Sequence, residues 1–407
     1  MIRRRPHIAI LGAGPVGLDA ALAAREAGYP FTIYEADEGV GGHVRRWSHV
    51  RLFTSWRDNI SPRMSGALEE ADWFAPDPDA YPTGGEVVTS LLERIAALPG
   101  IRENLRLGIR VVAVSRRGLN KSDAIGSPLR SRPPFRILLE TPTGRQLVEE
   151  AEVVLDCTGT YSNPNSLGDG GIPAPGERTA EDRIVREIPD FERTAGEWRG
   201  KRILLVGDGH SAQTVARELA ALVSGDGETS VVWAVRPEEP DWGAVDDDPL
   251  PGREELTRLS RKLASRAPRR MEVRTGVVVD SIDPSNGSVR VKLRPRFEGS
   301  GEGGSEVEAD RIVSLTGSVG DHTLYRQLQV HECYATSGPM KLAAALLGSG
   351  STDCLDQTSH GPDSLVNPEP RFFLLGAKSY GRNNTFLMRI GWNQVDDVFE
   401  LLERESG

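Results

Sequence analysis

Residues 7 to 42 read HIAILGAGPVGLDAALAAREAGYPFTIYEADEGVGG, and the rest of the chain is organised around them. An apolar run, Ile8 to Leu11, has the composition of a buried strand and leads into a turn holding Gly12, Gly14 and Gly17. An Ala-rich helical segment starting at Pro15 and Val16 follows, then a second strand, Phe31 to Tyr34, closed by Glu35 and Ala36. Gly12 allows the tight turn, Gly14 lets the backbone approach a pyrophosphate, and Gly17 permits close packing of helix on strand. The start of the helix offers unpaired N–H groups and a partial positive charge to phosphates. Glu35 stands 18 residues beyond Gly17, where a carboxylate accepts hydrogen bonds from an adenosine ribose. The spacing predicts a strand, a glycine turn and a helix that cradle a dinucleotide.

The scheme returns at Lys201. KRILLVGDGHSAQTVARELAALV repeats the strand, the turn (Gly207, Gly209, His210, Ser211, Ala212) and the helix, and a second strand, SVVWAVR, ends at Arg236 where the first copy has Glu35. The strands after residue 105 finish in Thr158-Gly159, and their counterparts after residue 271 finish in Thr316-Gly317. A duplicated unit of this kind predicts an α/β fold of two Rossmann-like domains, the second inserted into the first. The expected boundaries are 1–165 and 313–407 for one domain and 166–312 for the other. Arg236 cannot accept from a ribose 2′-hydroxyl but can hold a 2′-phosphate, so the second site should prefer NADPH to NADH. A solvated strand end is the alternative for that arginine.

Between the motifs, Gly41-Gly42 and His43 to Trp47 precede SHVRLFTSWRDN. Core packing accounts for any one of Trp47, Phe53 and Trp56. Three aromatics among Arg45, Arg46, Arg51 and Arg57 fit a loop against a flavin ring and its phosphates. Residues 58 to 85 read as an irregular connection that walls a substrate pocket. Thr83 and Glu86 form a capping-box pattern ahead of a helix through Leu98. Residues 296 to 308, RFEGSGEGGSEVE, read as a mobile hairpin tip. RFFLLGAKSYGRNNTFLMRIGWNQVDDVFELLERE near the end gives a strand, a glycine turn, a loop carrying Lys378 and Arg382, and a closing helix whose start at Gly391 to Gln394 offers N–H groups to an anion or a flavin edge.

Length and composition bound the rest. A chain of 407 residues with 38% hydrophobic content suits a two- or three-domain α/β protein. A net charge of −10 argues against nucleic acid or an anionic membrane as the main partner. No apolar run approaches the roughly 18 residues of a membrane span, and the apolar run behind Met1 to Pro6 is already the glycine-turn strand, so a cytoplasmic protein is expected. Cys157, Cys333 and Cys354 are few, odd in number and outside any CxxC pair, so a disulfide framework is not expected. His43 with His49, and His331 with Cys333, do not make a four-ligand set, so no metal is expected.

These motifs resemble the flavoproteins with two dinucleotide-binding domains, and among them the flavin-containing and related NADPH-dependent monooxygenases. The resemblance rests on GAGPVG with Glu35, Gly41-Gly42 followed by Trp47, GDGHSA with Arg236, the two Thr-Gly strand ends and FFLLGAKSYGR. It implies FAD pyrophosphate at Gly12 to Gly17 (with Pro15 and Val16), ribose at Glu35 and Ala36, and the flavin bordered by Gly42, His43, Arg45, Trp47, Phe53 and Trp56. Val112, Thr158 and Gly159 complete that cofactor set, and Gly376, Ala377, Lys378, Trp392 and Gln394 close its far side. NADPH would lie on Gly207, Gly209, His210, Ser211 and Ala212, with Arg236 at the 2′-phosphate and Gly317 nearby. Two departures stand out. The family's histidine before the second glycine turn is missing from Glu177 to Gly200, and its final Gly-Asp is Gly376-Ala377, which leaves backbone or Lys378 to meet the ribityl chain.

The activity expected from the resemblance is insertion of one oxygen atom from O2 into a small heteroatom-bearing or carbonyl substrate through a flavin C4a-(hydro)peroxide. The flavin carries the hard chemistry, and no catalytic residue is assigned. An NAD(P)H-dependent reductase or oxidase acting on a quinone, disulfide or other acceptor is the second class, with Cys333 and Cys354 as the thiols that would have to meet. A flavin- and nucleotide-binding sensor or scaffold without turnover is the third. Homo-oligomerisation is left open.

Overall fold

A computed structural model of the chain describes residues 4–71, 73–225, 227–285, 287–297, 304–349 and 353–406. It divides into two units, Met1–Asn163 with Val319–Gly407, and Pro164–Ser318.

The first unit is built on five parallel strands in the order Phe372–Leu374, Val153–Asp156, Ile8–Leu11, Phe31–Tyr34, Leu105–Arg106. Ile8 pairs with Phe31 on one side and Val153 on the other, and the three central strands are almost wholly buried. Unbroken apolar runs are what a sheet covered on both faces requires. Alternation assigns the faces: Ile8 and Ile10 join Val153 and Leu155 under the helices, whereas Ala9 and Leu11 join Val154 under a second layer. The helical layer contains Pro15–Glu26 and Met388–Ser406, which pack together. The other layer is an antiparallel sheet of Arg110–Arg116, Phe135–Glu140 and Gln146–Ala151.

The segment expected to be irregular after residue 58 contains a helix, Pro62–Glu69. Ser61 caps it by accepting from the Met64 N–H at 3.0 Å, and Pro62 fills the first helical position, where its missing N–H costs nothing. Arg63 on this helix ties three elements together. It reaches Asp19 on the first helix at 2.8 Å, Glu26 at 3.0 Å and Asp396 on the last helix at 2.5 Å. Thr83 and Glu86 form both bonds of the capping box, and the helix they start runs to Ala96 through a π turn at Val88–Leu92.

The second unit repeats the plan with parallel strands ordered Met271–Arg274, Ser230–Ala234, Arg202–Val206, Arg311–Ser314, Ile184–Val185. Helices His210–Gly225 and Pro251–Ser265 and an antiparallel sheet of Val277–Ser285, Ser288–Pro295 and Ser305–Ala309 complete it. The boundary expected after residue 312 falls inside the strand Arg311–Ser314, and the compact units divide at Asn163 and Pro164, within two residues of the expected first boundary, and at Ser318 and Val319. The outermost strand beside the Thr-Gly strand comes from opposite ends of the two repeats: Phe372–Leu374 follows its unit's glycine strand, and Ile184–Val185 precedes it. Within the tip expected at residues 296 to 308, residues 298–303 lie outside the described residues, and residues 305–308 belong to the strand Ser305–Ala309.

Candidate functional site: two glycine turns

In each unit the glycine turn leaves the carboxyl end of the central strand, where an open parallel sheet forms its binding crevice. In the first unit Gly12 has φ +96°, and a Cβ there would lie 2.8 Å from the Cys157 carbonyl oxygen. A Cβ on Gly17 would lie 1.9 Å from the Gly12 carbonyl oxygen, so strand, turn and helix meet with no room for a side chain. Gly14 has nothing within 4 Å of its Cβ direction, and the Pro15–Glu26 helix has no side-chain cap. An open glycine and uncapped N–H groups at a helix start are what an incoming pyrophosphate needs.

Glu35 is 9% exposed and bonds to this turn: Oε2 accepts from the Ala13 N–H at 2.8 Å and Oε1 from the Asp37 N–H at 3.0 Å. Burial raises its pKa, opposed by the backbone donors of Asp37 and Ala13. Ala36 is exposed beside it. Gly42 packs on Asp37, whose Oδ2 would lie 1.7 Å from a Cβ there, and an open cleft of about 500 Å3 runs along Asp37, Glu38, Gly39, Gly42, Arg45 and Arg46.

The segment after Gly42 is a short helix, Gly42–Arg46. His43 lies against Gly159, 3.5 Å from its Cβ direction, and burial lowers the pKa of its imidazole. Arg45 is committed to the Val40 carbonyl and to Glu93 at 2.7 Å. Trp56 is a core residue at 5% exposure, and Phe53 is partly buried. Trp47 and Trp392 are both packed on or in that core, yet each indole N–H is buried with no acceptor among the described residues. Val112 stands exposed at a bulge in its strand, so its main chain is released from the regular ladder.

The C-terminal motif returns to the first turn. Cβ atoms on Gly376 and Gly391 would lie 3.4 and 2.5 Å from Val16. Gln394 turns inward, its Oε1 accepting from the Gly376 N–H and its Nε2 donating to Ser379 Oγ, both at 2.8 Å. The last helix starts at Met388, so the free N–H groups expected at Gly391 to Gln394 belong one turn earlier. Ala377 is half-buried.

Lys378 points into the protein. Its Nζ donates to Asp156 Oδ2 at 2.7 Å and to Thr158 Oγ1 at 3.0 Å, with both charged side chains fully buried. Asp156 Oδ1 accepts from the N–H and hydroxyl of Thr158, so one carboxylate organises the Thr158-Gly159 turn. This pair went unrecognised in sequence. The available signal was an acid closing the apolar strand VVLD, a position that demands a cation.

In the second unit Gly207 has φ +131°, with the Leu315 carbonyl 2.3 Å from its Cβ direction, and Ala212 packs 3.4 Å away. Gly209 is open, and Ser211 is exposed at the helix start. Burial lowers the His210 pKa, with Arg253 acting in the same direction. Arg236 is exposed and has no ion pair among the described residues. The Gly317 carbonyl accepts from the Asn165 N–H, and Thr316 Oγ1 donates to the Asn165 carbonyl at 3.0 Å.

A family model described as pyridine nucleotide-disulphide oxidoreductase matches residues 6–333. The chain belongs to that family. Among curated relatives, flavin-containing monooxygenase FMO GS-OX-like 3 from Arabidopsis thaliana is 27% identical over 241 residues, 53% of this chain and 49% of that protein. The chain thus spans about half the length of the curated relatives it matches. Two examples of the solved structures that share the fold are each 16% identical to this chain. Bacillithiol disulfide reductase from Bacillus cereus superposes with a TM-score of 0.67 over 98% of this chain and 99% of its own. Ornithine N-hydroxylase from Kutzneria sp., with reduced FAD, NADP+ and L-ornithine, does so with a TM-score of 0.62 over 99% and 100%. Cys157 and Cys333 are free thiols. Burial raises the Cys157 pKa well above the ordinary thiol range, whereas hydrogen bonds from Thr336 and the Ala335 N–H lower that of Cys333. Among the described residues no His, Cys, Asp and Glu cluster could hold a metal, and no helix is long and apolar enough to cross a membrane.

Proposed function

We propose that this chain is an FAD-dependent, NADPH-using monooxygenase acting on a small heteroatom-bearing or carbonyl substrate. The observation that carries the reading is the contrast between equivalent positions: Glu35 is held on the first glycine turn, and Arg236, beyond the second, is exposed and has no ion pair among the described residues. An acid there suits an adenosine ribose, and a free guanidinium suits a 2′-phosphate. The monooxygenase relatives support the class of reaction.

Bound FAD would supply hydride acceptance and activation of O2. The chain's own residues do the rest. Gly12, Gly14 and the helix start hold a pyrophosphate, Glu35 receives the ribose, and the released main chain at Val112 offers polar groups to an adenine edge. The orphan indole N–H groups of Trp47 and Trp392 are donors for polar atoms of the ring system and its side chain. Lys378 does not reach for the ribityl chain. It neutralises Asp156 and fixes the Thr158-Gly159 turn. Gly207, Gly209, Ser211 and Ala212 take the second pyrophosphate, and Arg236 selects the phosphorylated ribose.

A second reading rests on Cys333, whose lowered pKa would suit a thiol-using reductase. Anaerobic mixing of the yellow protein with NADPH or NADH, followed by return of O2 with substrate, separates the readings. Fast bleaching by NADPH and oxygenated product matching NADPH consumed support the monooxygenase. Bleaching followed by rapid reoxidation without oxygenated product favours the reductase or oxidase. Bleaching by neither nucleotide refutes both. Arg236→Ala should raise KM for NADPH roughly ten- to a hundredfold, as expected for one charged hydrogen-bonding partner, and leave that for NADH unchanged.

A further inference from the structure

Two buried polar atoms of the first unit, Tyr380 Oη and His360 Nε2, have no hydrogen-bond partner among the described residues, and both side chains line one small cavity. Tyr380 is 1% exposed, so its hydroxyl cannot turn to bulk solvent. Leu342, Leu365 and Ile390 form the apolar part of the wall, and Ser359, Gln394 and Asp397 add polar groups. The space admits the centre of a water-sized body over only about 10 Å3, which is room for one water. Buried donors and acceptors are almost always satisfied, and an ordered water is the usual agent where no protein group reaches.

We infer that this cavity is an internal hydration site in which one water accepts from the Tyr380 hydroxyl and donates to His360 Nε2. Its second hydrogen faces the Ser359 and Asp397 side of the wall, where the Ser359 hydroxyl donates to Asp397 Oδ2 at 2.5 Å and leaves Oδ1 as an acceptor. The water joins three segments: the chain at 358–365, the Gly376–Tyr380 turn and the Met388–Ser406 helix. Gln394 already fastens the same turn through the Gly376 N–H and Ser379. The water is therefore a further fastening of the turn that rests on Val16, and Tyr380 and His360 are positioning residues. Only this positioning role depends on the proposed FAD site; the water does not.

Crystals of the purified protein, with whatever flavin it carries, should show one density peak within hydrogen-bonding distance of both Tyr380 Oη and His360 Nε2. An empty cavity, a direct Tyr380–His360 bond or a side chain filling the space overturns the inference. Tyr380→Phe and His360→Leu should each lose the peak and melt several degrees lower, whereas His360→Gln, which keeps a polar partner, should retain both peak and melting temperature. For the positioning role, Tyr380→Phe should release flavin at least threefold faster than the unaltered protein and His360→Gln should not. Equal release rates refute that role. A protein purified without flavin refutes the FAD reading and leaves the density test intact.

Discussion

Replacing Lys378 by Met tests how the floor of the first site is built. Lys378 Nζ lies 2.7 Å from Asp156 Oδ2 and 3.0 Å from Thr158 Oγ1, and neither charged side chain has exposed surface. The methionine fills most of the lysine's volume, so the loss is mainly electrostatic. It leaves a buried carboxylate whose remaining donors among the described residues are the Thr158 N–H and hydroxyl. Removing one partner of a buried pair costs about 3–5 kcal/mol, and a nearby cation–π contact, with Nζ 5.2 Å from the Tyr325 ring centre, is lost as well. The double variant Asp156→Asn with Lys378→Met removes both charges and should recover most of that stability, because a neutral pair no longer bears the desolvation cost. Urea unfolding of all four proteins gives the coupling directly, read from the transition that reports the first unit. A single variant that loses less than about 1 kcal/mol, or a double variant no more stable than Lys378→Met, would refute the assignment of this pair as a buried, coupled charge network.

Two further outcomes follow from geometry and titration. Gly17→Ala places its Cβ 1.9 Å from the Gly12 oxygen and should lose both stability and flavin, whereas Gly14→Ala meets nothing within 4 Å and should fold normally while binding flavin less well. Melting curves and flavin content of the two proteins check this, and equal effects on both properties would contradict it. Asp19 is fully buried, and burial raises its pKa from 3.8 to about 6 despite Arg63 and Ser61. The folded state therefore binds this proton more tightly than the unfolded state. Its stabilising contribution is complete below pH 3.8 and is lost as pH rises through about 6. Measured against Asp19→Asn, the protein should gain up to about 3 kcal/mol on going from pH 7 to pH 4; a flat difference across that range would exclude it.

The glycine turns, the duplicated strand order and the capping box at Thr83 were legible because each rests on local backbone chemistry. Gly12 needs a positive φ, Gly17 needs contact with a carbonyl, and Thr83 needs only Glu86 three residues on. What stayed hidden depends on partners distant in sequence. Ile184–Val185 is too short for any periodicity and becomes a strand only because Ile312 and Val313 lie beside it. Trp56 and Arg45 have the residue types of a flavin loop, but the first is taken by the core and the second by Glu93. The Pro62–Glu69 helix was obscured by the proline, glycine and acid around it, although Ser61-Pro62 is a good helix start. Asp156 and Lys378 meet across a separation no sequence spacing could reveal.

The insertion also orders the birth of the fold. Phe372 pairs with Val154, so the first sheet cannot gain its outer strand until the whole of the second unit and most of the remaining chain have been made. The second unit is continuous from Pro164 to Ser318, and its strands need nothing from outside that span. Domains tend to fold as units as the chain emerges. A growing chain released after residue 318 would thus carry a finished second unit beside a first sheet with one edge still bare. An uncovered edge invites pairing with other chains. Truncation between residues 318 and 372 is therefore expected to yield aggregates with an intact inserted domain, rather than a uniformly unfolded protein.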